Sequence, residues 1–113
     1  MLMGMTLSMF VLGSSVFSCY AVSSSISVDV NASRVYGQFD YGEPGHQLTV
    51  TVFYEEKDAK GNLRYDNISE TRNGIHTSVG VGRSSTSEFQ YVWGYSVGLI
   101  DRAVKAITPK TYV

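Results

Sequence analysis

The chain has 113 residues, which sets an expectation of one domain. Its formal net charge is −1, and its nine Lys and Arg are scattered. Without a basic stripe there is no electrostatic case for nucleic acid or an anionic membrane surface as partner. A single cysteine, Cys19, excludes a disulfide within the chain, so the fold rests on its apolar core.

Met1 to Phe17 (MLMGMTLSMFVLGSSVF) carries no charge, and the first charged residue is Asp29. This run is too short, and too interrupted by Ser and Gly, to span a membrane comfortably, which takes about 20 residues. It fits the apolar region of a secretory signal peptide. Cys19-Tyr20-Ala21 places small residues where a cut after Ala21 needs them. Residues 1–21 are therefore read as a cleaved signal segment and residues 22–113 as the mature domain. No Lys or Arg precedes the apolar region, and Met1, Met3 and Met5 are all candidate starts.

Within this segment Val16-Phe17-Ser18-Cys19 resembles a bacterial lipoprotein signal. The resemblance implies that Cys19 becomes a lipidated first residue, which would turn a soluble product into an anchored one. The alternative is that Cys19 is discarded with the signal peptide, and this second expectation is preferred.

After a Ser-rich lead-in, Ile26, Val28 and Val30 alternate with Ser27, Asp29 and Asn31 as a first half-buried strand. Asn31-Ala32-Ser33 reads as a turn. Val35, Gly37, Phe39 and Tyr41 define a second strand, ended by Gly42-Glu43-Pro44-Gly45. Gln47 to Asp66 reads as a central hairpin. Leu48, Val50, Val52 and Tyr54 form its apolar row, Lys57 to Asn62 its turn, and Leu63 and Tyr65 resume the row on the return strand. That strand is expected to fade through Asn67 to Glu70, ahead of a tight turn at Asn73-Gly74. Ile75, Thr77, Val79 and Val81 predict a fifth strand, whose other face is the bare pair Gly80 and Gly82, the pattern left where a ring or backbone packs close. Arg83 to Glu88 reads as a loop. Phe89, Tyr91, Trp93, Tyr95, Val97 and Leu99 then alternate over the longest run in the chain, with a bend at Asp101-Arg102. Ala103 to Thr108 suits either a short helix or a last strand.

Six to seven strands with turns about every ten residues predict an all-β fold, a small immunoglobulin-like antiparallel β-sandwich. The resemblance to immunoglobulin-like domains is architectural, since their cysteine pair is absent.

No catalytic, cofactor-binding or metal motif emerges. His46, three residues from Glu43, and His76 are the only histidines, and a zinc site needs three or four ligands at recognisable spacing. Both are expected to be surface groups titrating near neutrality. No Ser lies in a nucleophile elbow. Glu55 and Glu56 are adjacent on a strand and so point to opposite faces. They are expected to solvate the hairpin end, with Glu55 facing Arg64. Asp58 with Asn62 reads as a hairpin turn rather than a calcium loop, because the closing Glu is missing. Asn31-Ala32-Ser33 and Asn67-Ile68-Ser69 match the glycosylation sequon. The aromatic row Phe89, Tyr91, Trp93 and Tyr95 is a candidate binding surface, but burial preference favours it as the core side of the longest strand. Tyr36 and Tyr54 are further surface or edge candidates.

The resulting expectation is a non-enzymatic exported protein, secreted or envelope-associated. It would act by surface binding to a protein or glycan at a cell surface, or as a structural component of the envelope or extracellular space. No cofactor or nucleic acid is expected, and contact with membrane only through the signal segment or a lipid anchor. A secreted toxin or antimicrobial protein is the alternative, with a small hydrolase behind it.

Overall fold

A computed structural model describes residues 22–113. The expected signal segment, residues 1–21, and with it the candidate lipidation position Cys19, lie outside the described residues.

The described chain is all-β, with eight strands: β1 (Ser24–Asn31), β2 (Arg34–Tyr41), β3 (Leu48–Asp58), β4 (Leu63–Arg72), β5 (Ser78–Ser84), β6 (Phe89–Ile100), β7 (Ala103–Ile107) and β8 (Thr111–Tyr112). A three-stranded antiparallel sheet runs β1-β2-β5. A five-stranded one runs β4-β3-β6-β7, with β8 also paired to β6. Hairpins β1–β2, β3–β4 and β6–β7 stay within a sheet, whereas the β2–β3, β4–β5 and β5–β6 links cross between sheets. Ala103 to Ile107 is therefore strand, held to Val97–Ile100 of β6. The eighth strand, two residues long, is beyond what periodicity can register.

The sheets enclose two adjoining apolar clusters. Val35, Val52, Tyr54 and Tyr91 fill one end, backed by Val28, Val30 and Ile68. Phe39, Leu48, Val50 and Val79 fill the other, backed by Ile26, Ile100 and Ala106. The inward row of β3 is thus the one its alternation predicts. Its partner across the hairpin is not: Val52 pairs with Ile68 and Tyr54 with Asp66, so Leu63 and Tyr65 belong to the outer face and are exposed. A hairpin turn fixes register, and a one-residue offset moves a whole side-chain row to the opposite face. Strand β4 does not fade but continues to Arg72, while Ile75 and His76 precede β5 in an exposed turn.

The larger departure is in β6. Glu56 pairs with Tyr91 but Glu55 with Trp93, leaving Val92 as an extra residue in a β-bulge. The bulge reverses the parity of the strand. Tyr91 points inward, and beyond it Gly94, Ser96 and Gly98 occupy the inner face opposite Tyr54, Val52 and Val50. Trp93, Tyr95, Val97 and Leu99 go to the outer face. The inner face of β6 has no room for large residues because β2 supplies them: a Cβ on Gly98 would lie 2.5 Å from the Phe39 ring. Near the centre, Ser96 Oγ donates to the Ser27 carbonyl at 3.0 Å, tying the sheets together. Replacing Gly98 by Ala forces the Phe39 ring off its rotamer, and chemical denaturation should show a loss of about 1–3 kcal/mol.

The β6–β7 turn is Asp101-Arg102, with φ of 51° and 72°. Two successive positive φ values mark the mirror-image turn that suits the twist of a hairpin, at a cost for residues bearing a Cβ. Asp101 compensates by accepting the Gln47 N–H on Oδ1 and donating its own N–H to the Gln47 carbonyl. Arg102 is exposed and has no such compensation among the described side-chain contacts. Arg102→Gly should therefore raise stability by about 0.5–1 kcal/mol, seen as a higher Tm.

Candidate functional site: an aromatic sheet face

The two outer faces differ in chemistry. On the three-stranded sheet, Ser25, Gln38, Asp40 and Ser78 join in hydrogen bonds, and Arg34 pairs with Asp29 at 3.1 Å. The Ser78 hydroxyl, ahead of Gln38 and Ser25, holds the Asp40 carboxyl below its ordinary range. Tyr36 lies along β5 over Gly80 and Gly82, which explains that bare pair, and Arg34 caps its ring at 5.6 Å. This face is polar and internally satisfied.

The outer face of the five-stranded sheet is aromatic. Phe53 of β3 stacks on Tyr95 of β6, with centroids 5.1 Å apart and planes 18° apart. Tyr95 stacks on Trp93 at 6.1 Å and 16°, and Trp93 meets Tyr65 of β4 at 5.9 Å. Four rings from three strands thus form one strip. Phe53, Trp93 and Tyr95 are half-buried, and Tyr65 is 68% exposed. Tyr112 of β8, also exposed, pairs with Trp93 from the far edge. Lys110 Nζ sits 4.0 Å from the Trp93 ring centroid, a cation–π contact at the rim. Val97, Leu99, Val104 and Ile107 extend the face towards the β6–β7 turn, Val104 and Ile107 being exposed. Alongside the rings, Thr49 is hydrogen-bonded to Thr71 at 3.0 Å and Thr51 to Ser69 at 2.8 Å. The Glu55 carboxylate is buried here between Tyr65 and Trp93 in register, and its hydrogen bond with the Tyr65 hydroxyl raises that phenol above its ordinary pKa.

The candidate row is therefore split. Phe89 and Tyr91 lie on the inner side, where Tyr91 is core and packs edge-on against Tyr54 at 5.2 Å. Trp93 and Tyr95, expected in the core, are on the outer face instead. Sequence reasoning missed Phe53 and Tyr65 as their companions. The signal available was their odd parity on the hairpin, opposite to the Leu48–Tyr54 row. Tyr54 is no surface candidate, being fully buried.

Glu56, not Glu55, faces Arg64, because these two are opposite each other in the register. Glu56 is 1% exposed and accepts from Arg64 Nε at 2.8 Å, while Arg64 in turn lies 4.3 Å over the Phe89 ring. Neither glutamate solvates the hairpin end. Nearby, Arg83 Nη1 donates to the Tyr54 hydroxyl at 2.5 Å, and burial raises the phenol pKa of both Tyr54 and Tyr91. Asp58 closes its turn by accepting the backbone N–H groups of Lys60 and Asn62. The Asn62 contacts are the first cause of its lowered pKa. Among the described residues no group of His, Cys, Asp and Glu is arranged to hold a metal. The Asn31 carboxamide is engaged by Ser33 N and Oγ, while Asn67 is exposed opposite Phe53.

His46 is not a free surface group. Its Nε2 is 2.9 Å from Glu43 and its Nδ1 is 2.8 Å from Asp101, and Tyr41 packs edge-on against its ring. The Glu43 hydrogen bond first, then that of Asp101, raises the His46 pKa above its ordinary 6.5. Asp101 is lowered, mainly by the Gln47 N–H and then by His46. A raised histidine contributes stability in full below its unfolded pKa and loses it as pH rises through the folded value. The Tm of the wild type should accordingly fall, relative to His46→Ala, as the pH rises above 6.5. Parallel curves would show that the clasp contributes nothing. His76 is simply exposed.

Comparison with protein-family models, curated proteins and solved structures found no match for this chain.

Proposed function

We propose that this chain is an exported, non-enzymatic binding module that acts through the aromatic outer face of its five-stranded sheet, in the cell envelope or outside the cell. One observation carries the reading: Phe53, Tyr95, Trp93 and Tyr65 stand as a continuous strip on the side of the sheet away from the core. A folding chain gains by burying such rings, so a contiguous set left half-buried on an outer face, with Tyr65 exposed, is a mark of an interaction surface. The apolar leader supports export, and the near-neutral charge supports a partner other than nucleic acid.

An immunoglobulin-like sandwich is supported by strand order. Lettered A, B, C, C′, E, F and G, the first seven strands give A-B-E facing C′-C-F-G, the neighbours they have in that architecture. In such domains the sheet faces and end loops carry recognition while the inner faces carry stability. Function is argued here from the strip itself, because the architecture serves many purposes.

The protein expressed from its full sequence and mixed with envelopes of the producing organism should sediment with them. Tyr65→Ala and Trp93→Ala should each weaken that retention by about tenfold or more. Tyr36→Ala, on the opposite sheet, should leave it unchanged. Equal retention of all three variants would overturn the assignment of this face.

A further inference from the structure

We infer that this protein self-associates through the open edge of β4, two copies pairing antiparallel so that their five-stranded sheets become one continuous sheet. This association is independent of what the aromatic face binds.

The edge itself is unguarded. β4 ends the five-stranded sheet, and among the described residues its one strand partner is β3. It is ten residues long and regular in its pairing, with no Pro, Gly or Lys. Edges that must stay unpaired are usually short or bulged, or carry Pro or Lys. The opposite edge of this sheet is guarded in that way: β7 has five residues, pairs irregularly and carries Lys105 at its centre. The phase of the ladder identifies the groups β4 leaves open. Where the hairpin closes, the Asp58 N–H donates to the Asn62 carbonyl, so the even-numbered residues of β4 bond to β3. The backbone N–H and C=O groups of Leu63, Tyr65, Asn67, Ser69 and Thr71 therefore point away from it. Of these N–H groups, that of Asn67 is met by the neighbouring Asp66 carboxylate at 2.8 Å.

Charge selects the occupant. The even row of β4 is Arg64, Asp66, Ile68, Glu70 and Arg72, so a strand docking here meets plus, minus, apolar, minus, plus. Like charges directly opposite one another are destabilising, and such a row turns away an arbitrary strand. A second β4 supplies the complement, provided the register is right. With the two-fold axis at Ile68, Arg64 would oppose Arg72 and Asp66 would oppose Glu70. With the axis at Asn67, Arg64 of each copy opposes Glu70 of the other, and Asp66 opposes Ile68. Arg64 can make this contact, because its Nε and Nη2 are on Glu56 while its side chain is 48% exposed, leaving Nη1 for Glu70. The edges of the smaller sheet offer no such match, since β1 carries one charge, Asp29, and β5 one, Arg83.

Apolar burial favours the same register. An axis at Ser69 also avoids like charges, setting Asp66 against Arg72, but it leaves Leu63 beyond the second copy's strand. The axis at Asn67 sets Leu63 against Thr71 and Tyr65 against Ser69. It thus covers both exposed apolar side chains of β4, Leu63 at 56% and Tyr65 at 68% exposure. In this pairing odd residues meet odd residues, so the aromatic strips of both copies lie on one side of the joined sheet. The dimer presents that face twice to a single surface, and a second contact there gains from the first.

Sedimentation velocity tests this on the protein expressed from its full sequence, under reducing conditions so that Cys19 cannot join chains. The expected result is a reversible monomer–dimer equilibrium, half-associated at about 1–100 micromolar, as suits a small interface. Glu70→Lys sets Lys against Arg64 of the other copy and should weaken association by about tenfold. Asn67→Pro removes an N–H that β3 does not use, and should abolish the dimer with the circular dichroism spectrum unchanged. In a Cys19→Ser background, Asn67→Cys places two thiols across the axis, with Cα atoms about 5.5 Å apart, and should give a covalent dimer on oxidation with diamide. Ser69→Cys should not, its two copies lying about 14 Å apart. A monomer up to millimolar concentration, or a dimer indifferent to both Glu70→Lys and Asn67→Pro, overturns the inference. Crosslinking through Ser69→Cys and not through Asn67→Cys overturns the register.

Discussion

The closeness of the two sheets along the inner face of β6 governs the rest of the molecule. Gly94, Ser96 and Gly98 present almost no side-chain volume, so Phe39 and Val35 of the opposite sheet come down onto the backbone of β6. At Gly37 the approach is tightest, against the Ser96 hydroxyl and Val52. Core volume is a property of both sheets together. Here β2 and β3 supply the bulk and β6 the clearance, which is how close packing is reached without voids. The large side chains of β6 then have only the solvent side left to occupy. The same constraint that seals the core sets the aromatic strip on the outside.

The bulge at Val92 lets one strand serve both purposes. On its N-terminal side Tyr91 closes the core against Tyr54, and on its C-terminal side the strand turns its rings outward. Around this junction the interior is polar. Glu56 enters the core end fully buried, paired with an Arg64 that is itself half in solvent and stacked on Phe89. Arg83 from the other sheet reaches the Tyr54 hydroxyl and its ring. A buried carboxylate is tolerable only when its charge and lone pairs are met, and a guanidinium held over an aromatic ring does this without being wholly desolvated. The arrangement spans β3, β4, β5 and β6 and so fixes the register of both sheets at that end.

At the other end the His46 clasp does the corresponding job, joining the β2–β3 connection to the β6–β7 turn through Glu43 and Asp101. Between these two anchors the five-stranded sheet carries the aromatic strip. Rings already stacked on one another lose little freedom when a partner settles on them. The opposite sheet, with its satisfied Ser, Gln and Asp network, offers no equivalent.

Much of this was legible in the residues. Alternation located β1, β2, β3 and most of β5 and β6. Turn chemistry located the breaks, and the inward row Leu48, Val50, Val52 and Tyr54 was read correctly. The bare face of β5 signals the close approach of a ring or a backbone, and the group that arrives is the Tyr36 ring. What the sequence could not settle was which face of β6 is the inside. Periodicity of two distinguishes two rows but does not say which row meets the other sheet, and hydrophobicity points to the larger residues. Only the tertiary structure decided it, because the choice depends on Phe39 and Val35 arriving from a strand some sixty residues earlier and on a bulge at Val92 that leaves no mark in the alternation. The same holds for Glu56 over Glu55 as partner of Arg64, and for His46 between two carboxylates, one of them distant in sequence. Local pattern determined the strands; the packing of one sheet on the other, a long-range volume constraint, determined which side chains are core and which are left to meet a partner.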